Sequence, residues 1–354
     1  MISNPQKFIL VFALAVFLAW VFSKLVIFLA YKFNILDYPS QERKIHKQPI
    51  PLLGGLAIYA SFLVTVLVLW QANLLLDSRV SLVAIVWFLL AGLILMLNGY
   101  LDDKYSLSPK ITILGPILAS LVVILGGLKI AYITNPSGGI LYLDQLSIWS
   151  FIGPLITFLW LMGITYTTKL LDGIDGLTSS IGLIASLVIF AVSLSWDVAG
   201  SSTSFLSLAL AGSIFGFLIF NWHPAKIFLG EGGSTLIGFS LGVLSIISGS
   251  KIATALLVMG LPVLDIFWVI VRRIKQGKAF WQGDKEHLHF RMLRAGFSQK
   301  QIVLFLGLVS LSFGVVSIFF TTKIKISALL IIFVLMFVLS SWLNYRLKEK
   351  HEET

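Results

Sequence analysis

Apolar residues fall in eleven runs of about 20 residues, and each run is separated from the next by a short polar segment. Such runs are typical of transmembrane helices, because about 20 helical residues cross the hydrocarbon core of a bilayer. We therefore expect an all-α polytopic membrane protein with one integral domain over residues 1–354. The predicted spans are 8–30, 52–72, 80–98, 111–129, 149–168, 177–195, 203–221, 234–250, 252–274, 301–320 and 325–345.

The distribution of basic residues predicts the orientation of these spans. Of the 26 Lys and Arg residues, nineteen lie in the segments on one side and six on the other. Because Lys and Arg are enriched in cytoplasmic loops, the richer side is predicted to be cytoplasmic, with the N-terminus outside and the C-terminus inside. On the outer side, turn residues between short β-prone pieces predict a small hairpin within 130–148.

Composition narrows the class of protein further. Hydrophobic residues make up 58% of the chain and charged residues 12%, which excludes a soluble globular enzyme and a disordered chain. The absence of cysteine excludes disulfides and thiolate chemistry. In a membrane protein, the net charge of +10 indicates cytoplasmic loops and anionic lipid rather than nucleic acid.

Three acidic clusters lie on the predicted cytoplasmic side, and each allows two interpretations. Asp102 and Asp103 end the third span, where they either suit a divalent cation or form a solvated helix end. Asp172-Gly-Ile-Asp175-Gly permits a turn whose amides bind phosphate or a base edge, or it caps the next helix. Glu231, among glycines before a span, suits an anion-binding or metal-binding loop or a close helix contact.

Two basic clusters are predicted at the same face. The first is Arg43-Lys-Ile-His46-Lys47, and the second contains His287-Leu-His289-Phe-Arg291. The His-x-His pair suits a metal or a polyanion, and the alternative is a polybasic segment next to the membrane. Acidic groups for a metal and basic groups for phosphates together predict phosphoryl transfer at the cytoplasmic interface.

Asp265 is the acidic residue within a predicted span, so it is a functional candidate. The alternative, which we favour, is that Pro262 breaks the span. Asp265 would then satisfy the freed backbone or pair with Arg272 or Arg273.

The ordered motifs resemble the polyprenyl-phosphate N-acetylhexosamine-1-phosphate transferase family over residues 43–294. This resemblance implies a Mg²⁺-dependent enzyme of the cytoplasmic membrane, with Mn²⁺ as a second usable ion, that moves a sugar 1-phosphate from a UDP-sugar to undecaprenyl phosphate and releases UMP. The motifs are Arg-Lys-x-His with Pro-x-x-Gly-Gly, Leu-Asp-Asp with Ser-Pro-Lys, Leu-Asp-Gly-Ile-Asp-Gly-Leu, Pro-Ala-Lys-Ile-Phe-Leu-Gly-Glu-Gly-Gly-Ser and His-Leu-His.

Carried onto this sequence, the resemblance implies a role for each matching residue. Glu231 would hold the metal together with one or more of Asp102, Asp103 and Asp172. The residues implied in catalysis are Asp102, Asp103, Asp172, His287 and His289. The residues implied in substrate binding are Arg43, His46, Lys47, Lys169, Gly173, Ile174, Asp175, Asn221, Phe228 and Arg291, with the Gly173–Asp175 turn on uracil and Phe228 stacked on it.

The sequence departs from the family pattern at several positions, which leaves the substrate open. Glu231 replaces the usual aspartate, and Tyr166 and Lys169 stand where the family has asparagines. Phe290 and Pro116 replace a more usual His and Gln. Because of these departures, an inactive member of the family is a further alternative.

The run His-Leu-His-Phe-Arg-Met-Leu-Arg resembles the UDP-GlcNAc branch, which implies GlcNAc-1-phosphate transfer at the start of a cell-envelope glycan. A UDP-MurNAc-pentapeptide transferase is the alternative substrate assignment. The alternative outside the enzymes is a non-catalytic lipid-binding protein or a transporter. A homodimer is left open as the oligomeric state.

Overall fold

Helices make up most of the computed structural model, which describes residues 5–39, 46, 48–75, 80–134, 139–143, 151–196, 200–249, 252–277 and 286–352. Among these residues, nine helices are long and apolar enough to cross a membrane, and one bent helix pair raises the number to ten. The predicted polytopic, helical class is therefore confirmed, whereas the count of eleven spans is not reached.

The helices lie close to the predicted spans. In chain order they are α1 (Pro5–Lys32), α2 (Gly54–Gln71), α3 (Leu82–Tyr105), α4 (Pro109–Thr112), α5 (Leu114–Leu125), α6 (Ile152–Leu171), α7 (Leu177–Trp196), α8 (Ser202–Asn221), α9 (Gly230–Ile247), α10 (Ile252–Val258), α11 (Gly260–Lys275), α12 (Leu288–Arg294), α13 (Gln299–Phe319) and α14 (Thr322–Glu352).

Two predicted spans differ from single long helices. The span at 252–274 is the bent pair, since α10 and α11 meet at 78°. Pro262 lies in the first turn of α11, where a residue without an N–H is tolerated. The span at 111–129 is covered by α4 and α5, a 17-residue apolar stretch that is about 25 Å long as a helix and shorter than the roughly 30 Å hydrocarbon core.

Two short antiparallel strand pairs accompany the helices. β3 (Tyr132–Thr134) pairs with β4 (Ile140–Tyr142), as the turn residues predict, and Ile133 lies opposite Leu141. β1 (Leu36–Asp37) pairs with β2 (Ile50–Pro51), and the sequence pattern does not predict this pair. The β1–β2 pair holds the segment after α1 close to the start of α2.

Two helices extend beyond the predicted limits of their spans, and this positions the acidic residues. α3 continues to Tyr105, so Asp102 and Asp103 lie on its last turn rather than in a loop. α9 begins at Gly230, which places Glu231 in its first turn. Charged groups from two helices therefore face one another at helix ends.

α9 is the most buried of the long helices, and it packs against α2, α3, α6, α7, α8 and α10. Glycines permit its closest contacts. A Cβ atom on Gly55 of α2 would collide with the backbone of Gly233, and one on Gly99 of α3 would collide with Gly232. Small residues let helix backbones approach closely, so these glycines hold the start of α9 between α2 and α3.

We predict that Gly99→Ala lowers the stability of the protein. The added methyl group forces α3 away from α9, and such overpacking costs about 1–3 kcal/mol. Gly163→Ala in α6 is the matched control, because a Cβ atom there meets nothing within 4 Å. Thermal unfolding in detergent, followed by tryptophan fluorescence, checks both variants. Equal melting temperatures would contradict the glycine contact.

Candidate active site

A cavity of about 1250 Å³ opens where α3 and α6 end and α9 begins. It brings together residues that are separated by up to 272 positions in the chain, from Ile27 to Gln299. The residues suggested by sequence that line it are His46, Asp102, Asp103, Asp172, Gly173, Ile174, Asp175, Asn221, Phe228 and Glu231. The three acidic clusters therefore share one cavity.

Asp103 connects α3 to the start of α9. Its Oδ1 atom accepts a hydrogen bond of 3.0 Å from the backbone N–H of Glu231. The first N–H groups of a helix have no partner within the helix, and a carboxylate is favourable at that end of the helix dipole. Gly230 has φ +70°, and a Cβ atom on it would collide with Asp103, so glycine is required at this position. Asp103 thus stabilises the start of α9 from a neighbouring helix.

Asp102 points to a different partner. Its Oδ1 atom accepts a hydrogen bond of 3.1 Å from the hydroxyl of Thr112 in α4. The side chain lines the cavity, so its second carboxylate oxygen can meet a ligand. Both aspartates line the cavity, but their hydrogen bonds join them to different elements, Asp103 to α9 and Asp102 to α4.

Lys169 and Glu231 form a mostly buried ion pair. Lys169 lies in the last turn of α6, and its Nζ atom is 2.6 Å from Oε1 of Glu231. The side chains are 23% and 11% exposed. The sequence suggested that Lys169 contacts a phosphate, whereas in this structure its charge offsets that of Glu231.

Asp172 ends α6 and is surrounded by other acids. Burial raises the pKa of Asp172 to about 7, and the negative charges of Glu231 and Asp175 also raise it. Asp102, Asp172 and Glu231 all lie within electrostatic range of Asp103. Negative charge is therefore concentrated at this end of the cavity.

The turn that follows α6 is held by two other segments. The Nδ1–H of His223 donates to Oδ2 of Asp175 at 2.6 Å, and the backbone N–H of Ala225 donates to the same oxygen at 3.1 Å. The backbone N–H of Asp175 donates to Oε1 of Gln299, the first residue of α13, at 2.9 Å. His223 and Gln299 both line the cavity, and the sequence motifs predict no role for either of them.

Asn221 and Phe228 flank the 222–229 loop. The Asn221 amide accepts from the hydroxyl of Ser179 at 2.8 Å and donates to the carbonyl of Ile227 at 2.9 Å. Asn221 therefore fixes the loop with both ends of its amide. The backbone N–H of Phe228 donates to the carbonyl of Pro51, and its ring lies 5.3 Å from the His46 ring. An aromatic side chain is thus held at the cavity wall.

His287 and His289 lie behind the cavity wall rather than in its lining. The Nδ1–H of His287 donates to Oδ2 of Asp265 at 2.9 Å, and the backbone N–H of Leu288 donates to Oδ1. Asp265 therefore caps α12 and contacts His287, whereas the sequence suggested that it binds the backbone freed by Pro262 or pairs with Arg272 or Arg273. From this segment, Phe290 is the residue that reaches the cavity.

His289 packs against the acidic turn. Its ring fills the space where a Cβ atom on Gly173 would lie. Burial lowers the pKa of His289 to about 3, and the adjacent His287 lowers it further. The ring is therefore neutral at physiological pH, and within the described part of the chain its Nε2 atom has no hydrogen-bond partner.

Arg291 is directed away from the cavity. Its guanidinium donates to the hydroxyl and carbonyl oxygens of Ser340 and to Oδ1 of Asn344, at 2.7–2.8 Å. Arg291 thus ties α12 to α14 and is not among the residues that line the cavity, and its suggested contact with substrate stays a prediction. The suggested residues Arg43 and Lys47 lie outside the described residues. His46 lies at the cavity, with Nε2 3.2 Å from the carbonyl oxygen of Asp37.

Comparison with known proteins decides the family. A sequence profile described as glycosyl transferase family 4 matches residues 85–249. The chain is 30% identical over 338 residues to a probable undecaprenyl-phosphate N-acetylglucosaminyl 1-phosphate transferase of Bacillus subtilis, covering 93% of this chain and 89% of the relative. The chain belongs to glycosyl transferase family 4.

Other relatives lie in the same family. A decaprenyl-phosphate N-acetylglucosaminephosphotransferase of Mycolicibacterium smegmatis is 34% identical, with 82% of this chain and 77% of the relative covered. An undecaprenyl-phosphate alpha-N-acetylglucosaminyl 1-phosphate transferase of Escherichia coli is 26% identical, with 79% and 75% covered. These relatives span most of the chain.

Carboxylates at the cavity fit the divalent cation that the glycosyl transferase family 4 resemblance implies. Mg²⁺ prefers hard oxygen ligands and is commonly bound by one or two carboxylates together with substrate phosphates. Glu231, Asp102, Asp103 and Asp172 supply such oxygens. Within the described residues, no three acidic or histidine side chains stand close enough to hold a metal by themselves. The donors therefore suit a cation that shares its ligands with a phosphate.

His223 and Gln299 differ in how far the sequence could reveal them. His223 lies two residues after Asn221, so its proximity to the cavity follows from the motif. Gln299 is separated from Asp175 by 124 residues, and only the packing of α13 brings it to the turn. No local signal in this family 4 chain identifies that contact.

We predict that Lys169→Met lowers stability by roughly 2–4 kcal/mol, because it leaves the Glu231 carboxylate buried without a cation. Replacing both partners, in Lys169→Met/Glu231→Met, costs less than the sum of the single changes. Lys275→Met, at an exposed position of α11, is the control. Thermal unfolding without divalent cations measures the cycle. Additive losses would show that the ion pair contributes no coupling.

Proposed function

We propose that this protein transfers N-acetylglucosamine 1-phosphate from UDP-N-acetylglucosamine to a polyprenyl phosphate, with undecaprenyl phosphate as the acceptor, and releases UMP. The product would start a cell-envelope glycan. One observation carries the proposal: the three acidic clusters and the Phe228 wall line one cavity at the ends of apolar helices. The named relatives from three bacteria support the sugar and the lipid class.

The lipid acceptor suits a cavity at helix ends. Its phosphate must reach charged residues while its hydrocarbon chain stays among apolar side chains. Asp102 and Asp103 end an apolar helix, and Ile27 and Tyr31 of α1 line the same cavity. A polar headgroup and an apolar chain can therefore be accommodated at one opening.

The nucleotide part of the donor fits the other side of the cavity. Phe228 presents an aromatic ring, which suits stacking on a base. The turn of Gly173, Ile174 and Asp175 lines the cavity. His223 holds this turn through the Asp175 carboxylate, and Gln299 holds it through the Asp175 backbone N–H. We assign uracil to this side, so that the pyrophosphate extends towards Asp102 and Glu231.

The chemical step is an in-line displacement at the phosphorus that carries the sugar. An acceptor phosphate oxygen forms a bond to this phosphorus, and the bond from phosphorus to the bridging oxygen breaks, so that UMP leaves with that oxygen. The second pKa of a phosphate monoester is about 6, so the acceptor is largely dianionic at neutral pH. The barrier is therefore governed mainly by charge and position.

Asp102 is the better placed of the two aspartates to orient the acceptor, because Asp103 is hydrogen-bonded to the start of α9. When bound, Mg²⁺ or Mn²⁺ would neutralise pyrophosphate charge, held by Glu231 with one or more of Asp102, Asp103 and Asp172. Lys169 provides a further positive charge beside Glu231. His289, neutral and packed on Gly173, positions the turn rather than the reacting atoms.

The transfer assay tests the function directly. Purified protein with undecaprenyl phosphate and Mg²⁺ is given UDP-GlcNAc, UDP-MurNAc-pentapeptide or UDP-glucose, and UMP release is measured. We expect UDP-GlcNAc to react at least about 10-fold faster than the other donors. Chelation with EDTA should abolish release, and added Mg²⁺ should restore it.

Two variants sharpen this assay. Glu231→Gln should lose turnover by about 100-fold or more, because it removes a carboxylate charge, whereas Glu231→Asp should retain most of it. UMP release from UDP-MurNAc-pentapeptide alone would replace the proposed donor. No release from any donor by folded protein would support an inactive family member.

We also propose that the cavity faces the cytoplasm, with the N-terminus and the β3–β4 hairpin outside and the C-terminus inside. The nineteen-to-six distribution of Lys and Arg supports this orientation. A soluble UDP-sugar is made in the cytoplasm, so the donor would reach the cavity from that side.

Cysteine labelling of intact cells tests the orientation, since the native chain has no cysteine. Lys300 is an exposed residue at the start of α13, and Lys323 is an exposed residue at the start of α14, just after α13 ends. A membrane-impermeant maleimide should label Lys323→Cys in intact cells and Lys300→Cys only after permeabilisation. The cysteine-free parent is the control, and the reverse labelling pattern would invert the proposed topology.

A further inference from the structure

His223 lies in the cavity with one side of its ring fixed by the protein. Its Nδ1–H donates to Oδ2 of Asp175 at 2.6 Å, and this oxygen also accepts the backbone N–H of Ala225. A carboxylate that binds one ring nitrogen of histidine fixes the orientation of the ring and the tautomer. Asp175 is 14% exposed in its side chain, so this hydrogen bond is protected from water.

The support of His223 is rigid on both sides. Gln299 holds the backbone of Asp175, and Asn221 ties the loop that carries His223 to Ser179 of α7. A side chain held in this way reaches a ligand without first losing much conformational entropy. The site is thus organised before a ligand binds.

The ring of His223 remains accessible from the cavity. Its side chain is 37% exposed and lines the cavity near Lys226 and Phe228. The hydrogen bond described for the ring uses Nδ1, which leaves Nε2 as the ring atom that can bind a ligand. With Nδ1 donating, a neutral ring accepts at Nε2 and a protonated ring donates there.

We propose that His223 is a binding residue for the nucleotide donor, with Nε2 hydrogen-bonded to an oxygen of the nucleotide. A ribose hydroxyl and an α-phosphate oxygen share this chemistry. The inference rests on the proposed function, because it takes the nucleotide to lie along the Asp175 turn and Phe228. It places His223 with the donor and not with the reacting phosphorus.

Two substitutions separate the two ring nitrogens. His223→Asn keeps an amide near the Nδ1 position, where it can still donate to Asp175, and has no atom at the Nε2 position. His223→Gln extends the amide to the Nε2 position. We expect His223→Asn to weaken UMP binding by about 10-fold or more, and His223→Gln to recover most of this loss.

Calorimetric titration with UMP and with uridine, without acceptor lipid, measures the effect. A loss of affinity for both ligands places the His223 contact on the ribose, and a loss of affinity for UMP alone places it on the phosphate. In the transfer assay, the KM for UDP-GlcNAc should rise in His223→Asn while kcat changes less than about 3-fold. Thermal unfolding verifies that each variant is folded.

Unchanged UMP and uridine affinity in folded His223→Asn overturns the inference. So does an equal loss of affinity in the two variants together with lower melting temperatures, which indicates a structural role. A lower kcat with unchanged affinity assigns His223 to the reaction instead. Parent protein that binds UMP but releases none from UDP-sugars refutes the proposed function while leaving the test of His223 intact.

Discussion

The closest contacts of α9 determine where the charged groups of the cavity lie. Gly99 of α3 and Gly55 of α2 pack on Gly232 and Gly233 of α9 with no room for a Cβ atom of their own, so the start of α9 is fixed against two neighbours. Glu231 lies in the same turn and therefore faces the end of α3 at short range. The hydrogen bond from the Glu231 backbone to Asp103 then joins the two helix ends. Packing in the apolar part of the molecule thus sets the geometry of its polar end.

This arrangement has an electrostatic cost, because several carboxylates share a partly buried space. The protein offsets this cost with different groups at each acid. Lys169 neutralises Glu231, the helix N-terminus of α9 stabilises Asp103, and the Thr112 hydroxyl binds Asp102. At Asp172, burial raises the pKa of the carboxyl group to about 7. A cluster that is only partly compensated in this way favours positively charged ligands and, with them, phosphates.

The sequence predicts the apolar helices from the length of the apolar runs. It also predicts that the three acidic clusters lie together, because alternate loops fall on the same side of the helices, and Glu231 lies at the cavity with the other acids. The detailed partners depend on tertiary packing, which has no local signal. Asp265 illustrates this point, because its position in a span suggested a nearby arginine, yet α12 folds back and brings His287 to it. The same return of the chain places Gln299 beside Asp175.

The two sides of the cavity are organised differently, and this difference matters for catalysis. On the side of Phe228, the polar groups of Asn221 and Asp175 are already hydrogen-bonded within the protein, so a ligand meets a rigid surface. A ligand bound on that side is stabilised equally in the ground state and in the transition state. On the side of Glu231, the acids remain only partly compensated, and the balance of charge changes when phosphates move. Interactions that strengthen during that movement lower the barrier, so in the proposed transfer the acidic side would govern turnover and the aromatic side would govern affinity.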